Sequence, residues 1–176
     1  MRRTGIVTSH GRPLTLLGHD LDVGGHAGDF TVLDGSSQEV RLSDHGGKIK
    51  VISVTPSLDT PVCDLQLRRF NSEAANLPVG VVVMNISMDL PFAVSRFCSA
   101  AGIDKVVALS DHRDASFGIA FGVLIKESRL LARSIFILDR ENVVRYREIV
   151  SDLSTHPDYE KALQALQSIV AVAKAA

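Results

Sequence analysis

Ile49-Lys50-Val51-Ile52-Ser53-Val54-Thr55-Pro56-Ser57-Leu58-Asp59-Thr60-Pro61-Val62-Cys63 passes from strand to helix in one short stretch. Its first part, Ile49 to Val54, is a run rich in β-branched residues, as a buried strand requires. Thr60 is a good helix N-cap candidate. Pro61 suits the first helical position, where its missing N–H costs nothing. Beyond it, Leu67, Phe70, Ala74 and Leu77 recur at helical spacing. A strand handing over directly to a helix is the repeating step of an α/β sheet, and ligand sites sit at such junctions.

The pattern continues downstream. Val81 to Ile86 is almost uniformly apolar, which predicts a central strand covered on both faces. A helix follows over Pro91 to Ala101, stopped by Gly102, and then a strand at Val106 to Leu109. Ile135 to Leu138 and Val143 to Val150 are two consecutive strands. The last helix opens at Thr155-His156-Pro157-Asp158 and carries Tyr159, Ala162, Leu163, Leu166, Ile169 and Val170 on one face. Its acids lie in the first turn and Lys174 near its end, as the helix dipole favours. Upstream, Ile6 to Leu17 predicts a hairpin around His10-Gly11-Arg12-Pro13, and Gly24 to Gly28 leads into a strand at Phe30 to Leu33. The expected fold class is α/β: a sandwich with a central mixed β-sheet flanked by helices and an N-terminal β-hairpin. No repeat or linker divides the chain, so residues 1–176 read as one domain, with 1–17 as a hairpin extension.

Composition narrows the function. The 176 residues are 45% hydrophobic and 22% charged, with a net charge of −1. An ordinary apolar fraction excludes disorder, and balanced charge gives no field for nucleic acid or an anionic membrane. No stretch approaches the length of a membrane span, and Met1-Arg2-Arg3 is followed by no apolar signal core. The expected location is therefore cytoplasmic. Two cysteines, Cys63 and Cys98, are too few for a disulfide scaffold and too far apart for a zinc knuckle.

Cys63 falls in the first turn of the predicted helix, where free N–H groups and the helix dipole favour a thiolate. It also continues the apolar face through Leu67, Phe70 and Ala74. Position alone therefore leaves two readings open, an inert core cysteine and an activated nucleophile. Burial opposes ionisation, so a reactive Cys63 needs a cation beside it. Spacing does not choose among the arginines, although Arg68 and Arg69 lie more than a turn away along the same helix. Cys98 shares a face with Val94 and Ala101, and core packing is open to it as well.

The motif Pro56-x-x-x-Thr60-x-x-Cys63 resembles the active-site motif of the peroxiredoxins. The longer match over Pro56 to Cys63 is similar to the bacterial thiol peroxidases, the atypical two-cysteine members of that family. Ser87-Met88-Asp89-Leu90-Pro91-Phe92-Ala93, Arg96-Phe97-Cys98, Leu131-Ala132-Arg133 and Pro157-Asp158-Tyr159-Glu160 agree with it. The resemblance implies a thioredoxin-like fold, with Cys63 as peroxidatic cysteine and Cys98 as resolving cysteine, joined in a redox-active Cys63–Cys98 disulfide. It assigns Thr60 as a hydrogen-bonding partner of peroxide and sulfur, Pro56 as a shield against water, and Arg133 as the required cation. Hydrogen peroxide and alkyl hydroperoxides would be the substrates and thioredoxin the reductant. A homodimer is implied, with no metal, haem or flavin, in antioxidant defence.

Two rivals accompany this reading. Cys63 could serve a cysteine hydrolase with one of His10, His19, His26, His45, His112 and His156, though none lies in a recognisable local motif. A non-catalytic thioredoxin-like redox sensor or binding module would keep the fold without turnover. Gly24 to Gly28 lacks the Gly-Lys-Ser/Thr of a phosphate loop. Asp111-His112-Arg113-Asp114 reads as a solvated turn and helix start.

Overall fold

The apolar 81–86 run becomes strand β6 (Val81–Ser87), the middle strand of a seven-stranded sheet. On one side of it lie β5 (Ile49–Val54), β9 (Ser134–Leu138) and β10 (Val144–Ile149). On the other lie β7 (Val107–Ser110), β3 (Thr31–Leu33) and β4 (Glu39–Arg41). β5, β6 and β7 are parallel, and the remaining pairings are antiparallel. The expected mixed sheet is present. This computed structural model describes residues 1–175, with side chains through Ala173, so the placement of Lys174 near the end of the last helix lies outside the described side chains.

Helices α1 (Pro61–Ala74) and α2 (Pro91–Ala101) make the β5–β6 and β6–β7 crossovers. Two crossovers that step in one direction across a sheet place their helices on one face. Leu67 and Phe70 of α1 and Val94 of α2 accordingly share a core with Ile49, Val51, Val83, Ile135 and Ile137. The terminal helix α4 (Tyr159–Ala175) adds Ala162 and Leu166 to that core. It begins at Tyr159, later than expected, because Asp158 caps it by accepting the Lys161 N–H at 3.0 Å. α1 likewise ends at Ala74, so Leu77 packs from the turn beyond it. Gly102 closes α2 in the left-handed conformation (φ 66°), as a C-terminal glycine does.

The opposite face packs alternate strand residues, among them Ile52, Val54, Met84, Ile86 and Phe136, against Phe30, Phe117 and Phe121. Here the hairpin β1 (Arg2–Ser9) and β2 (Arg12–Leu17) turns at His10-Gly11, both with positive φ. It pairs with a two-residue strand, β8 (Leu124–Ile125), that is too short to leave a sequence pattern. The glycine-rich 24–28 stretch runs along the edge of β10, where the Gly24 N–H donates to the Val144 carbonyl at 2.8 Å. Among the described residues, no helix is long and apolar enough to cross a membrane.

One expectation fails in the 111–114 turn. It does precede a helix, α3 (Ser116–Ala120), but Asp111 is not solvated: it is 2% exposed. Its carboxylate accepts the N–H groups of Phe117 (3.0 Å) and Gly118 (2.8 Å), capping α3 from inside the molecule. Burial raises its pKa to about 6 against those bonds. Only Arg113 and Asp114 behave as a surface pair.

Candidate active site

The end of β5 delivers the chain into the loop 55–60 and then α1. Pro56 is buried at the start of that loop. Thr60 is the N-cap residue in extended conformation (φ −111°, ψ 143°), with Pro61 at the first helical position as expected. Its hydroxyl is used differently from a capping hydroxyl. Thr60 Oγ1 lies 2.9 Å from the Ser57 carbonyl and 2.8 Å from Cys63 Sγ. One hydroxyl hydrogen therefore has two acceptors in reach, and the oxygen can also accept.

Cys63 is fully buried on α1, on the same face as Leu67 and Phe70, so the periodicity is correct. Its neighbour across the core is Arg133, whose Nη2 is 3.4 Å from Sγ. Sheet register explains the meeting. β9 runs antiparallel to β5 with Ser134 opposite Val54, so the residue before β9 lies beside the start of the 55–60 loop. Arg133 is 2% exposed, and a buried guanidinium is costly unless its charge is balanced. Its other acceptors are neutral: Gln66 Oε1 at 2.8 Å and the Leu153 carbonyl at 3.0 Å from Nη2. Among the described residues no carboxylate reaches it, so Cys63 Sγ is the one partner in contact that can carry a negative charge.

Gln66 extends this arrangement inward. Its Nε2 donates to Ser53 Oγ at 2.8 Å, Ser53 Oγ to Asn85 Oδ1 at 3.1 Å, and Asn85 Nδ2 to Thr55 Oγ1 at 3.1 Å, all in the interior. A satisfied buried network of this kind holds the guanidinium rigidly. Gln66 escaped the sequence reading, although a glutamine adjoining the apolar stripe of α1 was the available signal. Arg68 and Arg69 pair outward with Asp64 and with Glu73 and Glu160, confirming that neither faces Cys63. Tyr159 of α4 packs edge-on to Phe70 (5.9 Å) and bonds His156 Nδ1 through its hydroxyl (2.9 Å). No histidine contacts Cys63 Sγ among the described residues, which leaves the hydrolase reading without its base.

Cys98 is not part of this cluster. It sits half-buried on α2, and burial raises its thiol pKa. Cys63 is the third residue of α1 and Cys98 the eighth of α2. Arg68 Nη1 of α1 reaches the Ala101 carbonyl at 3.2 Å, so the two helices are neighbours. Cys63 Sγ contacts Thr60 and Arg133, and no contact joins it to Cys98 among the described residues. The two thiols are free in this structure.

Comparison with known proteins shows the family of the chain. Residues 22–163 match the Redoxin family. The thiol peroxidase of Bacillus subtilis (strain 168) is 57% identical over 164 residues, covering 93% of this chain and 98% of its own. That of Halalkalibacterium halodurans is 52% identical over 162 residues, covering 92% and 97%. Among solved structures, a peroxiredoxin-like protein from Aquifex aeolicus superposes with a TM-score of 0.87 at 37% identity, covering 95% of this chain and 97% of that one. The fold is accordingly thioredoxin-like, as expected. With a buried cysteine held between a threonine hydroxyl and an uncompensated guanidinium, and relatives matched over nearly their whole length, this chain belongs to the thiol peroxidases of the Redoxin family.

Proposed function

We propose that this thiol-dependent peroxidase works through Cys63 as the nucleophile and Cys98 as the resolving thiol. The Cys63 thiolate attacks the terminal oxygen of a hydroperoxide. An S–O bond forms as the O–O bond breaks, and the electron pair departs on the distal oxygen, which takes up a proton to become water or an alcohol. Thr60 Oγ1 and Arg133 Nη2 flank the sulfur and stand ready to stabilise charge on the reacting oxygens, which is preorganised electrostatic catalysis. Pro56, buried at the loop's start, limits water there. The product is a Cys63 sulfenic acid.

Cys98 then attacks that sulfur. The S–S bond forms, and the hydroxyl leaves with a proton as water. In this reading one of the two helices unwinds in part, since no contact joins the two thiols in this structure. An external dithiol reduces the disulfide and is itself oxidised. In this reading it is thioredoxin, the substrates are hydrogen peroxide and alkyl hydroperoxides, and the enzyme is a cytoplasmic homodimer in antioxidant defence. Leu90 and Phe92, exposed at the head of α2, supply apolar surface of the kind a protein partner covers. The whole chain 1–176 is read as one domain, with residues 1–17 as its hairpin extension.

The observation that carries the proposal is the buried Arg133, which no carboxylate reaches among the described residues and whose Nη2 lies 3.4 Å from Cys63 Sγ. The test adds one equivalent of cumene hydroperoxide to the reduced protein, followed by intact mass and a non-reducing peptide map. The expected result is loss of two hydrogens with the Cys63 and Cys98 peptides joined within one chain. Two free thiols after that treatment would overturn it.

A further inference from the structure

The Cys63 loop is held by a residue outside the cluster just described. Asp89 follows β6, and its carboxylate reaches across to the 55–60 loop. Its Oδ1 accepts the Ser57 hydroxyl at 2.7 Å, and its Oδ2 accepts the Leu58 N–H at 2.7 Å. Oδ2 also accepts the Ser87 hydroxyl at 2.8 Å, while the Asp89 carbonyl accepts the Ser110 hydroxyl. The residue is thus anchored on the ends of β6 and β7 and extends its charge to the loop. We propose that Asp89 is a positioning residue that holds residues 57–60 in the shape that presents Thr60 to Cys63, and that the same contacts must release before Cys63 can meet Cys98. This rests on the peroxidase roles assigned above to Cys63 and Cys98.

The path from Asp89 to the sulfur is short and continuous. Ser57, held by the carboxylate, offers its carbonyl to both the Thr60 N–H (3.2 Å) and Thr60 Oγ1 (2.9 Å). Thr60 Oγ1 in turn lies 2.8 Å from Cys63 Sγ. Hydrogen bonds to a carboxylate are shorter and stronger than neutral ones, so this frame is stiffer than a loop of ordinary turns. One residue beyond Asp89 lies Leu90, the N-cap of α2, the helix that carries Cys98. A single carboxylate therefore ties the loop before Cys63 to the head of the helix bearing its partner.

This placement gives Asp89 opposite effects on the two chemical steps. Peroxide attack benefits from a fixed Thr60, because misplacement of a reacting group by an ångström costs rate steeply. Disulfide formation needs local opening, and every bond that closes the loop opposes it. Weakening the carboxylate should slow the first step and quicken the second. Loss of overall stability gives no such split.

The test uses Asp89→Asn and, should that variant fold poorly, Ser57→Ala. Asparagine keeps the shape but offers a single acceptor oxygen, so its amide nitrogen, which only donates, replaces the acceptor of either the Ser57 hydroxyl or the Leu58 N–H. Reduced protein is mixed with hydrogen peroxide and quenched at intervals with an alkylating agent. Intact mass then follows gain of one oxygen at Cys63 and its subsequent loss as water on disulfide formation. Asp89→Asn is expected to slow the first step about tenfold or more and to quicken the second about threefold. Ser57→Ala should shift both in the same senses by less. Two unchanged steps, or two steps changed in the same direction, in the variant that folds would overturn the inference. A wild-type protein whose Cys63 takes up no oxygen would instead overturn the peroxidase roles on which it rests.

Discussion

Replacing Thr60 with valine separates two uses of one residue. Thr60 is the N-cap of α1 by position, yet its hydroxyl contacts Cys63 Sγ at 2.8 Å and the Ser57 carbonyl at 2.9 Å instead of a helix N–H. Valine is close to isosteric, and β-branched residues are comfortable at φ −111°, ψ 143°. The backbone should therefore stay in place. The lost bond to the Ser57 carbonyl is exposed and worth about 1 kcal/mol, or roughly 2–4 °C in Tm for a chain of this size. Removing a preorganised donor beside the reacting atoms costs about 3 kcal/mol in the transition state, close to a hundredfold in rate. Rapid mixing with hydrogen peroxide, alkylation of the remaining thiol and quantitation of the Cys63 peptide give the rate, and urea unfolding gives the stability. The expected outcome is a rate down about a hundredfold with stability nearly kept. A rate within about threefold of wild type is a barrier change under 1 kcal/mol, and would refute a role for the hydroxyl in the chemistry.

Arg133→Lys keeps the charge but loses the planar fork shared among Cys63, Gln66 and Leu153, and should slow Cys63 oxidation at least about tenfold. An unchanged single-turnover rate would remove Arg133 from the mechanism. Cys98→Ser should leave Cys63 oxidation intact, halt turnover with a dithiol reductant, and accumulate a sulfenic acid that a carbon nucleophile traps as a mass adduct. Continued formation of an intrachain disulfide is impossible in that variant, so undiminished turnover would show that Cys98 does not resolve. Asp111 predicts a pH effect on stability. Its folded pKa of about 6 lies above the ordinary carboxylate value because the charged form is buried, so the native state holds the proton more tightly than the unfolded chain. The resulting stabilisation is full below pH 3.8 and is lost as pH rises through about 6. Urea titrations at acidic and neutral pH should show Asp111→Asn lacking about 3 kcal/mol of this pH dependence. Equal dependence in both proteins would exclude Asp111 as its source.

Much of the architecture was legible along the chain because it is written in short windows. Ile49 to Val54, Val81 to Ile86 and the 63–67–70 spacing each encode their element within a few residues, and Gly102 ends α2 by its own conformational freedom. The same local reading placed Cys63 at a helix start, and the match to the peroxiredoxin motif supplied Thr60, Arg133 and Cys98. Local reading could not tell a polar residue facing water from one facing the interior. Asp111 reads as turn chemistry along the chain and is an internal helix cap, while the contacts of Gln66 with Arg133 and of Asp89 with the 57–60 loop leave no mark in a local window.

What brings Arg133 to Cys63 is the register of β9 against β5, with Ser134 opposite Val54, and no window of sequence contains both strands. Pairing across the sheet is chosen by the burial of both faces at once, a property of the assembled core. Likewise, the separation of Cys63 from Cys98 follows from where α1 and α2 lie on one face of the sheet. The sequence by itself determined the main elements and, through its motif, the candidate residues to which the proposed chemistry is assigned. Tertiary structure alone decided that the guanidinium, the hydroxyl and the sulfur converge while the second thiol waits apart, because long-range packing sets distances that local propensity leaves free.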